Sequence, residues 1–375
     1  MADDSARRAD LRDKVARLAE LAARRGVDTI VLRDPAALTW LLGCRVNVPQ
    51  TLDAACLDVV VHLTDGPRLR IVTNAIEAPR LRDTELAWLD GDGVDAPGTS
   101  WSVVPWWEAR DAALPTTSGA SVGTDRPLDG ARDLSADLRA LRRTLTPHQA
   151  VQLRDVAADT AAAASEAALG LEPTTSEYAA AGLLASALLR RGLDPVVLLV
   201  GGVDRLDAHR HPLPTAAALG RRGMLVACGR RHGLVASVTR IVSFAPLTTA
   251  EQDGYRRLLA VEQAFLDATR PGARLGDVVA TGTAAYSAHD FDPHEWHRHH
   301  QGGPTGWQPR EFPADPGSDV VLDAGQVVAW NPSGGGWKVE DTTLVTPSGC
   351  EPLVHDPTWP TLAVAGRLRP DVLVR

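Results

Sequence analysis

Residues 330–342 read Trp330-Asn-Pro-Ser-Gly-Gly-Gly-Trp-Lys-Val-Glu-Asp-Thr342. Apolar runs at Val327–Trp330 and Val339–Val345 each predict a β-strand. The three consecutive glycines between them, Gly334–Gly336, are typical of a tight hairpin turn. The stretch therefore predicts two strands whose connection carries polar side chains. Asn331 and Lys338 lie on the connection, and Glu340 follows at the start of the second strand.

Histidine is concentrated in the same half of the chain. Eight of the eleven histidines fall between residues 209 and 300, and five of them lie in 289–300. One segment reads Asp207-Ala-His-Arg-His-Pro-Leu-Pro-Thr215, and a second spans residues 297–313. A third polar segment, Ser237-Val-Thr-Arg240, lies in a predicted strand. Each segment taken singly is also consistent with a solvated loop, but four of them at strand–loop junctions indicate one shared site.

Outward from this region, the pattern predicts an α+β chain of two domains. In the second domain, Thr146 caps a helix that starts at Pro147, and a second helix follows at 176–191. Further elements there are strands at Val196–Val200, Met224–Cys228 and Leu234–Phe244 and helices at 248–269 and 275–288. The first domain has a helix at 9–25, strands at Thr29–Leu32, Leu57–Leu63 and Leu69–Thr73, and helical patterns at 76–86, 102–113 and 129–143. We place the two domains at residues 1–143 and 144–375.

Composition excludes several classes of partner. The chain has 375 residues, a net charge of −8 and no run of Lys or Arg, which argues against nucleic-acid binding. The longest apolar run, Pro195–Val200, is far shorter than the ~20 residues that a membrane helix needs. The four cysteines are scattered, and the first residues show no apolar signal core. We therefore expect a cytoplasmic protein that binds neither nucleic acid nor membrane.

Several motifs occur in an order that resembles the creatinase / methionine aminopeptidase / prolidase superfamily, which has the pita-bread fold. The resemblance covers about residues 145–355. Its motifs are His211-Pro212, a Gly-x-x-x-Ser-x-Thr-Arg strand that ends at Arg240, His300–Gly303, Glu340-Asp-Thr342 and Leu344–Gly349. The resemblance implies a C-terminal pita-bread domain, a smaller α/β N-terminal domain like that of the creatinase and prolidase branch, and a homodimer.

The metal ligands of that superfamily are largely missing from this chain. Members with metal hold two divalent ions through two Asp, one His and two Glu. Residues 208–250 contain no Asp or Glu, with Ser237 where the second Asp is expected, and Asn331 stands in place of the first Glu. A His (His299 or His300) and Glu340 remain, too few to hold two ions. A single zinc among His294, His297, His299 and His300 lacks the usual ligand spacing. We therefore expect no metal and no cofactor.

Creatinase and similar members work without metal, and their roles carry over by position. The proton-shuttling His falls on His211, with His209 as the alternative. The late Glu falls on Glu340, and the Arg that binds a substrate carboxylate falls on Arg310. We add His300 as a third catalytic candidate. The remaining substrate-binding candidates are His209, His299, Asn331, Lys338, Arg240 and Trp330.

These residue types suit hydrolysis of a C–N bond, which needs a base for water and an acid for the leaving nitrogen. A histidine performs both steps in turn, and an arginine binds a carboxylate through two hydrogen bonds. The first hypothesis is a metal-independent, creatinase-like hydrolase of a small substrate with a carboxylate. Two alternatives stay open. One is a pita-bread pseudoenzyme that serves as a binding module, and the other is an Xaa-Pro aminopeptidase or prolidase with an atypical metal site.

Overall fold

The protein is described by a computed structural model that covers residues 2–48, 55–89, 97–115 and 121–375. It divides into two compact units, Met1–Gln149 and Ala150–Arg375, and the division falls in the first turn of a long helix. None of the helices in the described ranges is long and apolar enough to cross a membrane.

The first unit is an α/β unit built on a six-stranded mixed sheet. Its strands lie in the order β4-β3-β2-β1-β5-β6. Helix α1 packs the predicted face, including Leu11, Val15 and Leu18, into the core. The elements are α1 (Ala2–Arg25), β1 (Thr29–Leu32), α2 (Pro35–Leu42), β2 (Leu57–His62), β3 (Arg68–Asn74), α3 (Glu77–Arg80), β4 (Gly98–Val104), β5 (Val122–Thr124), β6 (Arg132–Asp133) and α4 (Ser135–Arg142).

One helix predicted in this unit is wrong. Residues 102–113 begin inside strand β4, which pairs in parallel with β3, and they form only a 3₁₀ turn at Arg110–Ala113. The sequence Trp101-Ser-Val-Val104 has the aromatic and β-branched residues that favour a strand, and Pro105 then prevents a helix from running through. The helix predicted at 129–143 starts only at Ser135, because Arg132 and Asp133 pair with β5.

The second unit is a curled, mainly antiparallel sheet flanked by helices. Its main path runs β10-β11-β14-β9-β8-β7, while β15 pairs with β14 and β18 pairs with β9. Its helices are α5 (Pro147–Leu169), α6 (Glu177–Arg190), α7 (Val203–Leu206), α8 (Thr249–Ala268) and α9 (Leu275–Ala288). Its strands are β7 (Asp194–Gly202), β8 (Arg222–Arg231), β9 (Leu234–Ser243), β10 (Gly302–Pro304), β11 (Val327–Trp330), β12 (Ser333–Gly334), β13 (Trp337–Lys338), β14 (Asp341–Thr346), β15 (Gly349–Pro352), β16 (Thr361–Val364), β17 (Arg367–Pro370) and β18 (Leu373–Val374).

Helices α8 and α9 pack against the sheet around Trp330. The indole of Trp330 stacks on Phe265 with ring centroids 4.9 Å apart, and its Nε1 donates to Thr269 Oγ1 at 2.9 Å. Gly282 of α9 lets this stack form, because a Cβ there would lie 2.3 Å from the Phe265 ring. This core fixes strand β11 and therefore the residues that follow it.

The predicted start of α5 is confirmed and has a capping box. Thr146 Oγ1 accepts a hydrogen bond from Gln149 N at 3.2 Å, and Gln149 Oε1 accepts one from Thr146 N at 2.9 Å. The Thr146 hydroxyl also donates to the buried carboxylate of Asp10. Thr146 is therefore held by hydrogen bonds on both sides.

Replacing Thr146 by Ala should lower the free energy of unfolding by about 1–2 kcal/mol, because the cap and a buried hydrogen bond are both lost. Thr146→Ser retains the hydroxyl and should stay close to wild type. Urea denaturation of the three proteins measures both differences. Equal losses for Ala and Ser would show that the hydroxyl is not what stabilises this helix start.

Candidate active site

The loop that carries His211 is fixed by a buried carboxylate. Glu177 is fully buried, and its Oε1 accepts from Gly202 N at 2.8 Å. Its Oε2 accepts from Thr215 N at 2.9 Å and from Thr215 Oγ1 at 2.6 Å. An Arg205 guanidinium completes the set. Both ends of the loop are therefore tied to one side chain, which sets the position of His211.

Three imidazoles meet where this loop approaches the segment before β10. His211 Nε2 lies 3.1 Å from His299 Nε2, and His299 Nδ1 lies 3.1 Å from Ser333 Oγ. His300 lies beside both, and one nitrogen from each of the three rings lies within 4.8 Å of the others. An ion pair between Arg210 and Glu295 joins the two segments next to the rings.

The environment keeps these imidazoles neutral. Burial lowers the pKa of His211, and the Lys338 cation lowers it further. Burial and the Arg310 cation lower the pKa of His300 to about 4. Burial also lowers the pKa of His299, which is almost inaccessible to solvent. Near neutral pH each ring is therefore uncharged, with one donor nitrogen and one nitrogen that has a lone pair.

Glu340 is a buried carboxylate bound between two cations. Lys338 Nζ lies 3.1 Å from its Oε2, and Arg310 Nη2 lies 3.0 Å from its Oε1. Burial alone would raise the pKa of Glu340, but Lys338 and Arg310 hold it below its usual value. The group is therefore ionised and already neutralised within the protein.

The glycine hairpin brings these groups together as the sequence predicted. Strands β12 and β13 pair in antiparallel register, with Ser333 opposite Lys338. Gly335 and Gly336 form the turn with φ of +57° and +75°, a conformation that favours glycine. The hairpin thus places Ser333 at the imidazoles and Lys338 at Glu340.

A cavity of about 460 Å³ opens onto this arrangement. Its volume is in the range of small-molecule sites. The charged side chains that line it are two cations and one carboxylate, so the wall has a net positive charge while the imidazoles are neutral. The lining residues are Val197, Leu199, His211, Leu213, Val226, Cys228, His300, Pro309, Arg310, Asn331, Lys338 and Glu340.

Four predicted site residues do not line this cavity, and their placement is corrected. His299 is buried and contacts His211 instead. His209 is exposed and does not line it, so His211 is the histidine of this loop that reaches the site. Arg240 points to the opposite face of β9, where it pairs with Asp341 at 2.8 Å and lines a second cavity with Trp359. Trp330 belongs to the core under α8. In a strand, adjacent residues face opposite sides, which separates Arg240 from Thr239 and Trp330 from Asn331.

Arg310 lies at the cavity, but protein acceptors already engage much of its guanidinium. Nη1 donates to Gly303 O at 2.9 Å and to Ala329 O at 2.8 Å, and Nη2 binds Glu340. The two-pronged substrate contact predicted for Arg310 is therefore corrected to a contact that holds Glu340. Lys338 contacts the same carboxylate and is itself buried.

The sequence did not identify Ser333, which hydrogen-bonds His299, or the apolar cavity wall formed by Val197, Leu199 and Leu213. No signal in the sequence marks them, because they reach the site from separate strands and loops. Cys228 also lines the cavity. Burial raises the pKa of its thiol to about 12, and its Sγ lies 3.2 Å from Ser237 Oγ, so it is a structural thiol.

The side chains present at this site do not fit the pair of divalent metal ions that the resemblance implies. Ser237 offers only a hydroxyl, which contacts Cys228. Asn331 offers a neutral amide whose buried Oδ1 has no hydrogen-bond partner. Glu340 is neutralised by two side chains. Two metal ions would therefore find only one carboxylate, Glu340, which already pairs with Lys338 and Arg310.

Comparison with known proteins places this fold. Residues 152–347, more than half of the chain, match the family described as metallopeptidase family M24. A stretch of 131 residues is 25% identical to the Bacillus subtilis (strain 168) protein "Putative dipeptidase YkvY" and covers 33% of this chain but only 36% of that protein.

Among the solved structures that resemble almost the whole chain are a dipeptidase and a prolidase. The dipeptidase PepE from Mycobacterium ulcerans has a TM-score of 0.73 at 19% identity and covers 98% of both chains. The prolidase from Pyrococcus horikoshii OT3 has a TM-score of 0.73 at 14% identity and covers 92% of this chain and 98% of its own. These likenesses confirm the predicted α+β fold, a pita-bread domain with a smaller N-terminal domain. With the family match, they show that the chain belongs to metallopeptidase family M24.

Proposed function

We propose that this chain is a metal-independent hydrolase that cleaves an amide- or amidine-type C–N bond in a small substrate bearing a carboxylate. Membership of a peptidase family supports hydrolysis as the class of reaction. The observation that carries the proposal is the Glu340 carboxylate between Lys338 and Arg310. These two side chains supply the positive charge that the superfamily otherwise takes from metal ions.

His211 is the proposed general base and acid. It lines the cavity, and its lowered pKa keeps the ring in the basic form near neutral pH. A neutral imidazole takes a proton from water as that water attacks the carbonyl or amidine carbon. The imidazolium then gives the proton to the leaving nitrogen as the C–N bond breaks.

His299 and Ser333 orient this base. A neutral imidazole has one donor and one acceptor nitrogen, so the 3.1 Å contact between the two Nε2 atoms requires opposite roles. When His299 donates to Ser333 through Nδ1, its Nε2 accepts from His211. His211 Nδ1 then keeps its lone pair for water. In the reverse arrangement His211 Nδ1 bears the proton.

The carboxylate of the substrate is assigned to Lys338. An ammonium group has three N–H donors, and Glu340 takes one of them at 3.1 Å. The net positive cavity wall attracts an anion, and the apolar side of Val197, Leu199 and Leu213 suits a small hydrophobic side chain. A dipeptide combines an amide bond with a carboxylate, which agrees with the dipeptidases among the relatives.

A binding module without turnover is the second candidate, and the lost carboxylates at Ser237 and Asn331 favour it. Substitution of the proposed base His211 distinguishes the two candidates. A hydrolase loses turnover but still binds its substrate, whereas a binding module shows no turnover before or after the substitution.

Replacing His211 by Asn should lower kcat/KM by about 10²–10⁴-fold, because the proton carrier is lost. His209→Asn is the matched control, since His209 lies two residues away and outside the cavity, and it should keep wild-type activity. The assay uses a panel of dipeptides, N-acyl amino acids and amidino amino acids. Chromatography measures the products that are released from each compound. If no member of the panel is cleaved while some still bind, the binding module is favoured.

Dialysis against a chelator should leave the activity unchanged, and added Mn²⁺ should not raise it. Elemental analysis of the same samples gives the metal content per chain. Two equivalents of metal together with loss of activity after chelation would overturn the metal-independent proposal and support a prolidase-type enzyme.

Converting the substrate carboxylate into a carboxamide should lower kcat/KM by about 10–100-fold, because a charge-assisted hydrogen bond contributes roughly 1.5–3 kcal/mol. Steady-state kinetics on each matched pair of compounds measures the ratio. Equal kcat/KM values for the carboxylate and the carboxamide would show that Lys338 does not bind the substrate carboxylate.

A further inference from the structure

The three imidazoles at the cavity have an arrangement that a plain hydrogen-bonded pair does not require. Their ring centroids lie 4.9 Å (His211–His299), 5.4 Å (His211–His300) and 4.7 Å (His299–His300) apart. Each ring therefore has the other two as neighbours, and one nitrogen from each lies within 4.8 Å of the others. Three imidazole nitrogens are therefore grouped around one small volume.

This spacing is close to that of metal ligands. With metal–nitrogen bonds of about 2.1 Å, two nitrogens on a tetrahedral ion stand about 3.4 Å apart. The Nε2 atoms of His211 and His299 are 3.1 Å apart, within a few tenths of that value. His300 is partly exposed, and its buried Nδ1 has no hydrogen-bond partner, so this nitrogen is available to an ion.

We propose that His211, His299 and His300 form a binding site for one zinc-class ion, meaning Zn²⁺, Co²⁺, Ni²⁺ or Cu²⁺, and that its occupation inhibits the enzyme. Inhibition follows because the ion takes the lone pair of His211, the base of the proposed function, on which this part of the inference rests. The site differs from the carboxylate-bound ion pair of the superfamily in its donors, in the number of ions and in the sign of its effect.

The surroundings select the ion. Ser333 Oγ, 3.1 Å from His299 Nδ1, fixes the ring whose Nε2 faces the site, as groups behind metal-bound histidines commonly do. Lys338 and Arg310 repel a cation, and Glu340 offsets only part of that charge. An ion bound mainly by charge, such as Mg²⁺, Ca²⁺ or Mn²⁺, prefers carboxylates and is disfavoured here. An ion that favours imidazole is retained.

Calorimetric titration of the chelator-treated full chain with Zn²⁺, followed by elemental analysis after dialysis, tests the site. We expect one equivalent of zinc per chain and none of Mn²⁺ or Mg²⁺. His300→Ala should weaken zinc binding at least tenfold. His297→Ala is the matched control, because it removes one ring of the exposed His294–His297 pair and should leave the stoichiometry unchanged.

A second variant, His299→Asn, tests the site independently of His300 and should also weaken zinc binding. Circular dichroism shows whether both variants are folded. Wild-type affinity in both folded variants, or no stoichiometric zinc in the wild type, would overturn the site.

Enzyme kinetics test the proposed inhibition separately from zinc binding. Zinc at saturation should abolish turnover of a cleaved panel substrate, and chelator should restore it. Full activity of a zinc-saturated enzyme would overturn the inhibition and the role of His211 as base. Stoichiometric zinc binding to a protein that cleaves nothing would support the site while the proposed function fails.

Discussion

The ion triple of Lys338, Glu340 and Arg310 is the interaction on which the rest of the site depends. A carboxylate this deeply buried needs compensating charge, and removing one partner of such a pair typically costs about 3–5 kcal/mol. Lys338 and Glu340 are two residues apart in an extended segment and share a face, while Arg310 arrives from the loop after β10. Because Arg310 also binds Gly303 O and Ala329 O, the same contact ties that loop to β10 and β11.

The charges at this site differ from those of the metal centre that the resemblance implies. Ser237 and Asn331 are neutral where the resemblance expects carboxylates, and the remaining acid is paired with side-chain cations. The imidazoles are the titratable groups that remain: His211 and His300 line the cavity, and His299 is buried next to them.

Periodic patterns predicted most elements, because they report which face of a helix or strand is buried. Helix α1, strand β1 and the Thr146 cap are examples. The helix predicted at 102–113 is wrong because its first residues belong to strand β4 at the edge of the sheet. The strand is held there by its parallel partner β3, which lies much earlier in the sequence. Site residues were predicted by motif order, which identifies positions but not side-chain directions. Arg240 and Trp330 were therefore placed in the cavity although both point elsewhere.

By itself, the sequence determined the family resemblance, the glycine hairpin at Gly334–Gly336 and the loss of the metal-binding carboxylates, since motif order and residue chemistry are local properties. Only the tertiary structure decided that His211 rather than His209 reaches the cavity, that Arg310 holds Glu340, and that Ser333 supports His299. These relations join residues tens of positions apart. They depend on strand register and loop anchoring, such as the four contacts of Glu177, which no local pattern encodes.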